Sequence, residues 1–72
     1  MEYVKVLYAN ARQVNVDGVP NGDTNDVLMI DAGTHQFDLG APSDYYPGSQ
    51  HVAIAGTSVL MPKIVVFTKR KS

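Results

Sequence analysis

Val14-Asn15-Val16 alternates apolar and polar side chains and then stops at Asp17-Gly18. That stop has a physical basis: Gly reaches positive φ without steric cost, and an Asp carboxylate accepts from the backbone N–H groups of a turn. Four residues on, Val19-Pro20-Asn21-Gly22 has the order of a second β-turn, with Pro presetting φ at its second position. A helix is excluded here, because β-branched residues at i and i+2 would sit on different helix faces. The stretch therefore predicts one strand over 12–16, two turns, and a polar loop over 23–26.

The remaining chain continues in the same style. Residues 3–8 alternate, with Val4, Val6 and Tyr8 on one side and Lys5 opposite, which predicts a half-buried first strand. Val27-Leu28-Met29-Ile30 is apolar on both faces, as a central strand would be. Asp31-Ala32-Gly33 reads as a hairpin connection with Gly33 in the left-handed position. In the next strand Phe37 and Leu39 face the core, Gln36 and Asp38 face water, and His35 shares the buried face at its end. Residues 40–49, bracketed by Pro42 and Pro47, are the longest irregular stretch. A fifth strand over 51–55 pairs Val52 with Ile54 on one face. Residues 59–68 supply the last strand, divided by Pro62, which cannot donate to a ladder.

Some six to seven short strands, with turn signals about every 8 to 12 residues and no helical period, predict an all-β fold, a small antiparallel β-sandwich or a partly closed barrel. At 72 residues the chain has room for one domain, 1–72, and one small core, since so short a chain buries only about 60% of its unfolded surface. It has no Cys, so disulfides and thiolate metal sites are excluded and packing must supply the stability.

A net charge of -1, from six basic and seven acidic residues, gives no field that would gather nucleic acid or anionic membrane. The one charge run, Lys69-Arg70-Lys71, lacks interleaved aromatics and reads as a flexible, solvated tail over 69–72. No stretch approaches the roughly 18 apolar residues of a membrane span, so no membrane insertion is expected. The N-terminus lacks the basic-then-apolar order of a signal peptide.

Few side chains suggest chemistry. Asp17, Asn21, Asp23, Asn25 and Asp26 fall close together and could offer oxygens to Ca²⁺, but Asp26 stands where a Ca²⁺ loop needs its sharp-turn Gly, and Ala32 where it needs a bidentate Glu. Turn capping is the better reading, so no metal is assigned. His35 and His51, set against Asp38 or Asp44, have no ligand spacing, and a hydrogen-bonded edge role is expected for a strand His. The serines lack a nucleophile-elbow context and no Gly-rich loop leads into a helix. Neither catalytic residues nor cofactors are expected. Tyr45 and Tyr46 are the candidate ligand-binding residues, because adjacent tyrosines on a Pro-bounded loop need not both face the core. One buried and one available is the expected division.

The order of landmarks resembles a PEGA domain, a small β-sandwich module found mainly in bacterial and archaeal surface and envelope proteins. The similarity covers Val14-Asn15-Val16-Asp17-Gly18 with Gly22 and Thr24, then the apolar run at 27–30, Gly33 and His35-Gln36-Phe37-Asp38-Leu39. It continues through Tyr45-Tyr46-Pro47, Val52-Ala53-Ile54 and Ile64-Val65-Val66. Where that family has its naming Pro-Glu-Gly-Ala, this chain has Ala9-Asn10-Ala11-Arg12. The outline is also similar to transthyretin-like and carboxypeptidase-regulatory-like sandwiches. The resemblance implies a non-catalytic structural or binding module at a cell surface or envelope, with a carbohydrate or protein partner. The alternative is a small stand-alone intracellular protein that self-associates through a strand edge.

Overall fold

The alternating stretches of the sequence are strands in the computed structural model, which describes residues 1–70. In chain order they are β1 (Glu2–Leu7), β2 (Gln13–Val16), β3 (Val19–Asp23), β4 (Val27–Ile30), β5 (Gly33–Asp38), β6 (Tyr45–Tyr46), β7 (Gln50–Ile54), β8 (Lys63–Val66) and β9 (Thr68–Lys69). One sheet has the order β4-β1-β8, a second the order β3-β2-β5-β7, and β6 pairs with β9. Every pairing is antiparallel except β1 with β8, which run parallel from Val4 opposite Lys63 to Leu7 opposite Val66. No helix among the described residues is long and apolar enough to cross a membrane.

The core follows from side-chain parity. Val4 and Val6 of β1, Val14 and Val16 of β2, Leu28 and Ile30 of β4, Phe37, Ile54 and Val65 all point inward into one apolar cluster. Tyr8, Leu39, Tyr45 and Phe67 complete it at one end, where the Tyr45 ring meets Phe67 edge-on at 5.5 Å and Tyr8 edge-on at 6.5 Å. The molecule is a small all-β sandwich.

The Val14 to Gly22 stretch is one hairpin rather than a strand with two turns. Asp17 and Gly18 both have positive φ, at 54° and 80°, the combination of a two-residue type I′ turn, so Val16 sits directly opposite Val19. Pro20 is therefore within a strand. It is tolerated because β3 lies at the edge of its sheet. The register then shifts between Gln13 and Asn15, so that Asn21 and Gly22 together face Val14. This bulge explains Gly22: its φ is 75°, and a Cβ there would overlap the Cδ2 of buried Leu28.

Four other expectations change. β4 is an edge strand, not a central one, so Leu28 and Ile30 are buried while Val27 and Met29 are exposed on the outer face. Asp31-Ala32-Gly33 is a crossing between sheets and not a hairpin, since β4 pairs with β1 whereas β5 pairs with β2 and β7. Val59, Leu60 and Met61 form no strand. They occupy an exposed turn in which Ser58 and Met61 exchange backbone hydrogen bonds, and the final strand begins only after Pro62. The basic end expected as a flexible tail over 69–72 starts as sheet: Lys69 lies opposite Tyr45, and the Arg70 N–H donates to the Asp44 carbonyl at 2.9 Å. Residues 71 and 72 lie outside the described residues.

Thr24 and Asn25 hold the link between β1 and β2. The buried Thr24 hydroxyl donates to the Asn10 carbonyl at 2.8 Å and accepts from the Arg12 N–H at 2.9 Å, while its own N–H donates to the Arg12 carbonyl. Asn25, at φ 68°, accepts from the Tyr8 N–H and donates to the Tyr8 carbonyl through its side-chain amide, extending the β1–β4 ladder past its last residue. Replacing Thr24 by the isosteric Val keeps the volume but strands one donor and one acceptor. Thr24→Val is expected to destabilise the fold by about 1–3 kcal/mol, read in thermal unfolding as a fall of roughly 4–8 °C per kcal/mol.

Candidate functional site

The loop after β5 is drawn against the sandwich by Arg12. Its guanidinium donates to the Asp44 carboxylate at 2.6 Å and to the carbonyls of Leu39, Gly40 and Pro42 at 3.2, 3.3 and 3.0 Å, and its carbon lies 5.4 Å from the Tyr45 ring centre and 5.9 Å from that of Tyr8. One planar cation thus fixes three carbonyls, a carboxylate and two aromatic faces, a set that only the fork of an Arg can meet. Tyr45 and Tyr46 stand on the next strand. Tyr45 is 5% exposed, and its hydroxyl accepts from the Leu39 N–H at 3.2 Å. Tyr46 is 67% exposed, with its backbone paired to Thr68. The two neighbours divide as expected, one in the core and one outside, because successive residues of a strand face opposite sides. Tyr46 is the ring a ligand could reach.

At the opposite end of β1 a second constellation assembles. Asp17 continues the β2–β5 pairing beyond Val16: its N–H donates to the Gln36 carbonyl at 2.8 Å, and its Oδ1 accepts from the Gln36 N–H at 2.9 Å. The other carboxylate oxygen lies 2.6 Å from His35 Nδ1, and His35 Nε2 lies 2.7 Å from the Asp31 carbonyl. Both imidazole nitrogens therefore face acceptors, which a neutral ring with one N–H cannot satisfy. The Asp17 carboxylate first, and the Asp31 carbonyl second, raise the His35 pKa above its ordinary 6.5. Asp17 is held below its ordinary 3.8 by the Gln36 N–H and then by His35. At this same end Glu2 is lowered by the N–H and hydroxyl of Thr57.

His35 and Asp17 border a cleft of about 320 Å³ between β3 and β4, walled by Met1, Val19, Pro20 and Met29, with Asp31 also lining it. Its volume lies at the low end of the range of about 300–1,000 Å³ for small-molecule sites.

Neither His pairs with the partners the sequence suggested. Asp38 accepts from Asn15 at 2.9 Å, Asp44 from Arg12, and His51 lies exposed on β7 opposite Gln36. Of the loop oxygens near residue 20, those of Asp17 and Asn25 serve backbone and His35, and Asn21 donates to the Met29 carbonyl at 3.4 Å. Among the described residues no group of three or more His, Cys, Asp or Glu could hold a metal ion. Sequence reasoning missed Arg12 and the Asp17–His35 pair. The signal for the first was its isolation, since no other Lys or Arg stands between Val6 and Pro62. For the second the signal was the Asp of an Asp-Gly turn with a His on a later strand. Comparison with protein-family models, with curated proteins and with solved structures finds no match to this chain.

Two expectations follow. Lys in place of Arg12 keeps the charge but cannot span the three carbonyls and the carboxylate, so Arg12→Lys should speed amide hydrogen exchange at Arg70 and in β6 and β9 while sparing β2 and β5. The His35–Asp17 pair predicts a pH window for stability. A raised His pKa stabilises the fold fully below 6.5, and that stability is lost as pH rises through the higher folded value. A lowered Asp pKa stabilises above 3.8, and the gain is lost as pH falls through its lower folded value. The wild-type melting temperature should thus decline on the alkaline side, and His35→Gln should flatten that decline.

Proposed function

We propose that this chain is a non-catalytic structural or binding module of a prokaryotic surface or envelope protein, PEGA-like in outline. It presents the Tyr46 loop and the adjoining sheet edge of β6 and β9 to a carbohydrate or protein partner. The observation that carries this reading is an exposed aromatic ring on a fixed backbone. Tyr46 is 67% exposed, yet its strand is paired to β9, its carbonyl accepts from the Thr68 hydroxyl, and the loop before it is held by Arg12 and Asp44. A ring carried on a backbone already held in place spares the cost of ordering the loop on binding, and the Tyr hydroxyl adds a polar handle to the stacking surface.

The test uses the Tyr46→Ala variant. Because the ring lies outside the core, the melting temperature should stay unchanged, while retention on insoluble peptidoglycan or chitin, or shifts of the Tyr46 amide with chitotriose, should weaken at least about tenfold. Equal behaviour of the variant and the wild type on these carbohydrates, including no binding by either, counts against the carbohydrate form of the reading.

The second reading, self-association through a strand edge, draws on the outer face of the three-stranded sheet, where Val27, Met29, Ile64 and Val66 are all exposed. The edges of that sheet are partly engaged, since Asn21 donates to the Met29 carbonyl and Gln50 to the Val66 carbonyl at 2.7 Å. A second copy would have to displace one of these amides. Sedimentation equilibrium over a wide concentration range separates the readings: a persistent monomer removes this one.

A further inference from the structure

We propose that His35 is a pH-operated clasp on the crossing between the two sheets: charged, it ties the crossing to the Asp17 turn, and neutral, it keeps Asp17 and releases Asp31. The stability lost at high pH is thereby confined to one contact and one segment. The clasp lies at the end of the sandwich away from Tyr46 and does not depend on what Tyr46 binds.

The two acceptors of the ring are unequal. Nδ1 faces a carboxylate oxygen at 2.6 Å and Nε2 a backbone carbonyl at 2.7 Å. An imidazolium donates to both, but a neutral imidazole has one N–H and one lone pair. A charged acceptor holds a proton more strongly than a neutral carbonyl, so the remaining N–H stays on Nδ1. The Nε2 lone pair then points at the Asp31 oxygen, and a bonding contact becomes a repulsive one. Asp17 is not free to give way, because its Oδ1 and N–H are both bonded to Gln36. Asp31 is. It lies beyond Glu2 opposite Ile30, the last pair of the β1–β4 ladder, and among the described residues no other donor reaches its carbonyl. Only Asp31 and Ala32, both exposed, separate β4 from β5. Since Asp31 and His35 line the same cleft of about 320 Å³, release of the carbonyl opens one wall of it.

The charges around the ring are few. The β2–β3 turn brings Asp17, held in its carboxylate form by the Gln36 N–H, and the crossing brings Asp31. Across the β5–β7 ladder His35 meets uncharged Val52, and His51 stands one residue along on the other face of the sheet. From β1 the Met1 ammonium borders the cleft, whereas Glu2 is turned to Thr57. The residues that β3 and β4 contribute to the cleft are uncharged. The clasp is therefore closed below the His35 pKa, which Asp17 and then Asp31 hold above 6.5, and open above it.

The test is nitrogen-15 NMR of the full chain from about pH 5 to about pH 9, with His51→Gln removing the other imidazole. Correlations between the ring nitrogens and their carbon-bound protons read the His35 tautomer. At low pH both nitrogens should be protonated. At high pH Nδ1 should keep its proton and Nε2 lose it, and the amides of Ala32 and Gly33 should shift with the same midpoint while those of Phe37 and Asp38 stay in place. A common midpoint separates His35 from the Met1 ammonium. Asp17→Asn supplies the converse: with its oxygen on the Gln36 N–H, the side-chain amide donates to Nδ1, so the neutral ring must carry its proton on Nε2 and keep Asp31. In that variant the Ala32 and Gly33 amides should lose most of their response to pH. A neutral His35 protonated on Nε2 beside an intact Asp17, or Ala32 and Gly33 amides that ignore the His35 midpoint, would overturn the proposal. A folded Asp17→Asn variant whose crossing still responds to pH would overturn it as well, and if that variant does not fold the tautomer beside Asp17 decides alone. Tyr46→Ala should leave the titration unchanged, so failure here is distinguishable from failure at the Tyr46 loop.

Discussion

β2 has a neighbour on each side, and Asp17 sets its register with both. As the first residue of the type I′ turn it fixes Val16 opposite Val19, and as a hydrogen-bonding residue it fixes itself opposite Gln36. The second role uses the side chain: the backbone of Asp17 is already turning away, so a carboxylate oxygen takes the place in the ladder that a carbonyl would fill. A slip of one residue in either pairing would carry Val14 and Val16 from the core to the surface. In a chain without Cys, whose stability rests on a single apolar cluster, that slip would remove the centre of the core. The charge state of Asp17 and His35 is for this reason tied to the geometry of the hairpin.

The sequence made the alternation legible, because period-2 burial depends only on the identity of each residue and its neighbours. Val4, Val6, Val14, Val16, Phe37 and Ile54 all lie inward as their parity required. What could not be read was which strand pairs with which. Pro20 and Gly22 look like turn formers in isolation, and they become an edge residue and a bulge only once β3 is known to be a sheet edge. In the same way, Val27 and Met29 mark β4 as two-sided until its outer face is seen to be open. Gly33 looked like a hairpin residue, although the chain crosses there from one sheet to the other.

The candidate sites divide along the same line. Tyr45 and Tyr46 were visible as adjacent tyrosines on a Pro-bounded loop that need not both face the core, although the short strand β6 that turns one in and the other out gives no sign of itself in the irregular stretch 40–49. Arg12, which holds the loop beneath them, was hidden because its acceptors are backbone carbonyls, which no side-chain pattern announces. The cleft was hidden for a further reason. It lies where edge strands of two different sheets approach, and joins residues 17, 31 and 35 through topology rather than spacing.

The parallel pairing of β1 with β8 has a mechanical consequence. The chain enters at one end of the sandwich and leaves near the other, and the molecule is elongated, 37 Å in its longest extent against 21 and 16 Å. Tension applied between Met1 and Arg70 would therefore draw these two strands past each other along their length. In that direction their hydrogen bonds resist together, whereas an antiparallel hairpin pulled from its open end yields one bond at a time. The order of strands thus sets β1 and β8 in shear along the long axis of the sandwich.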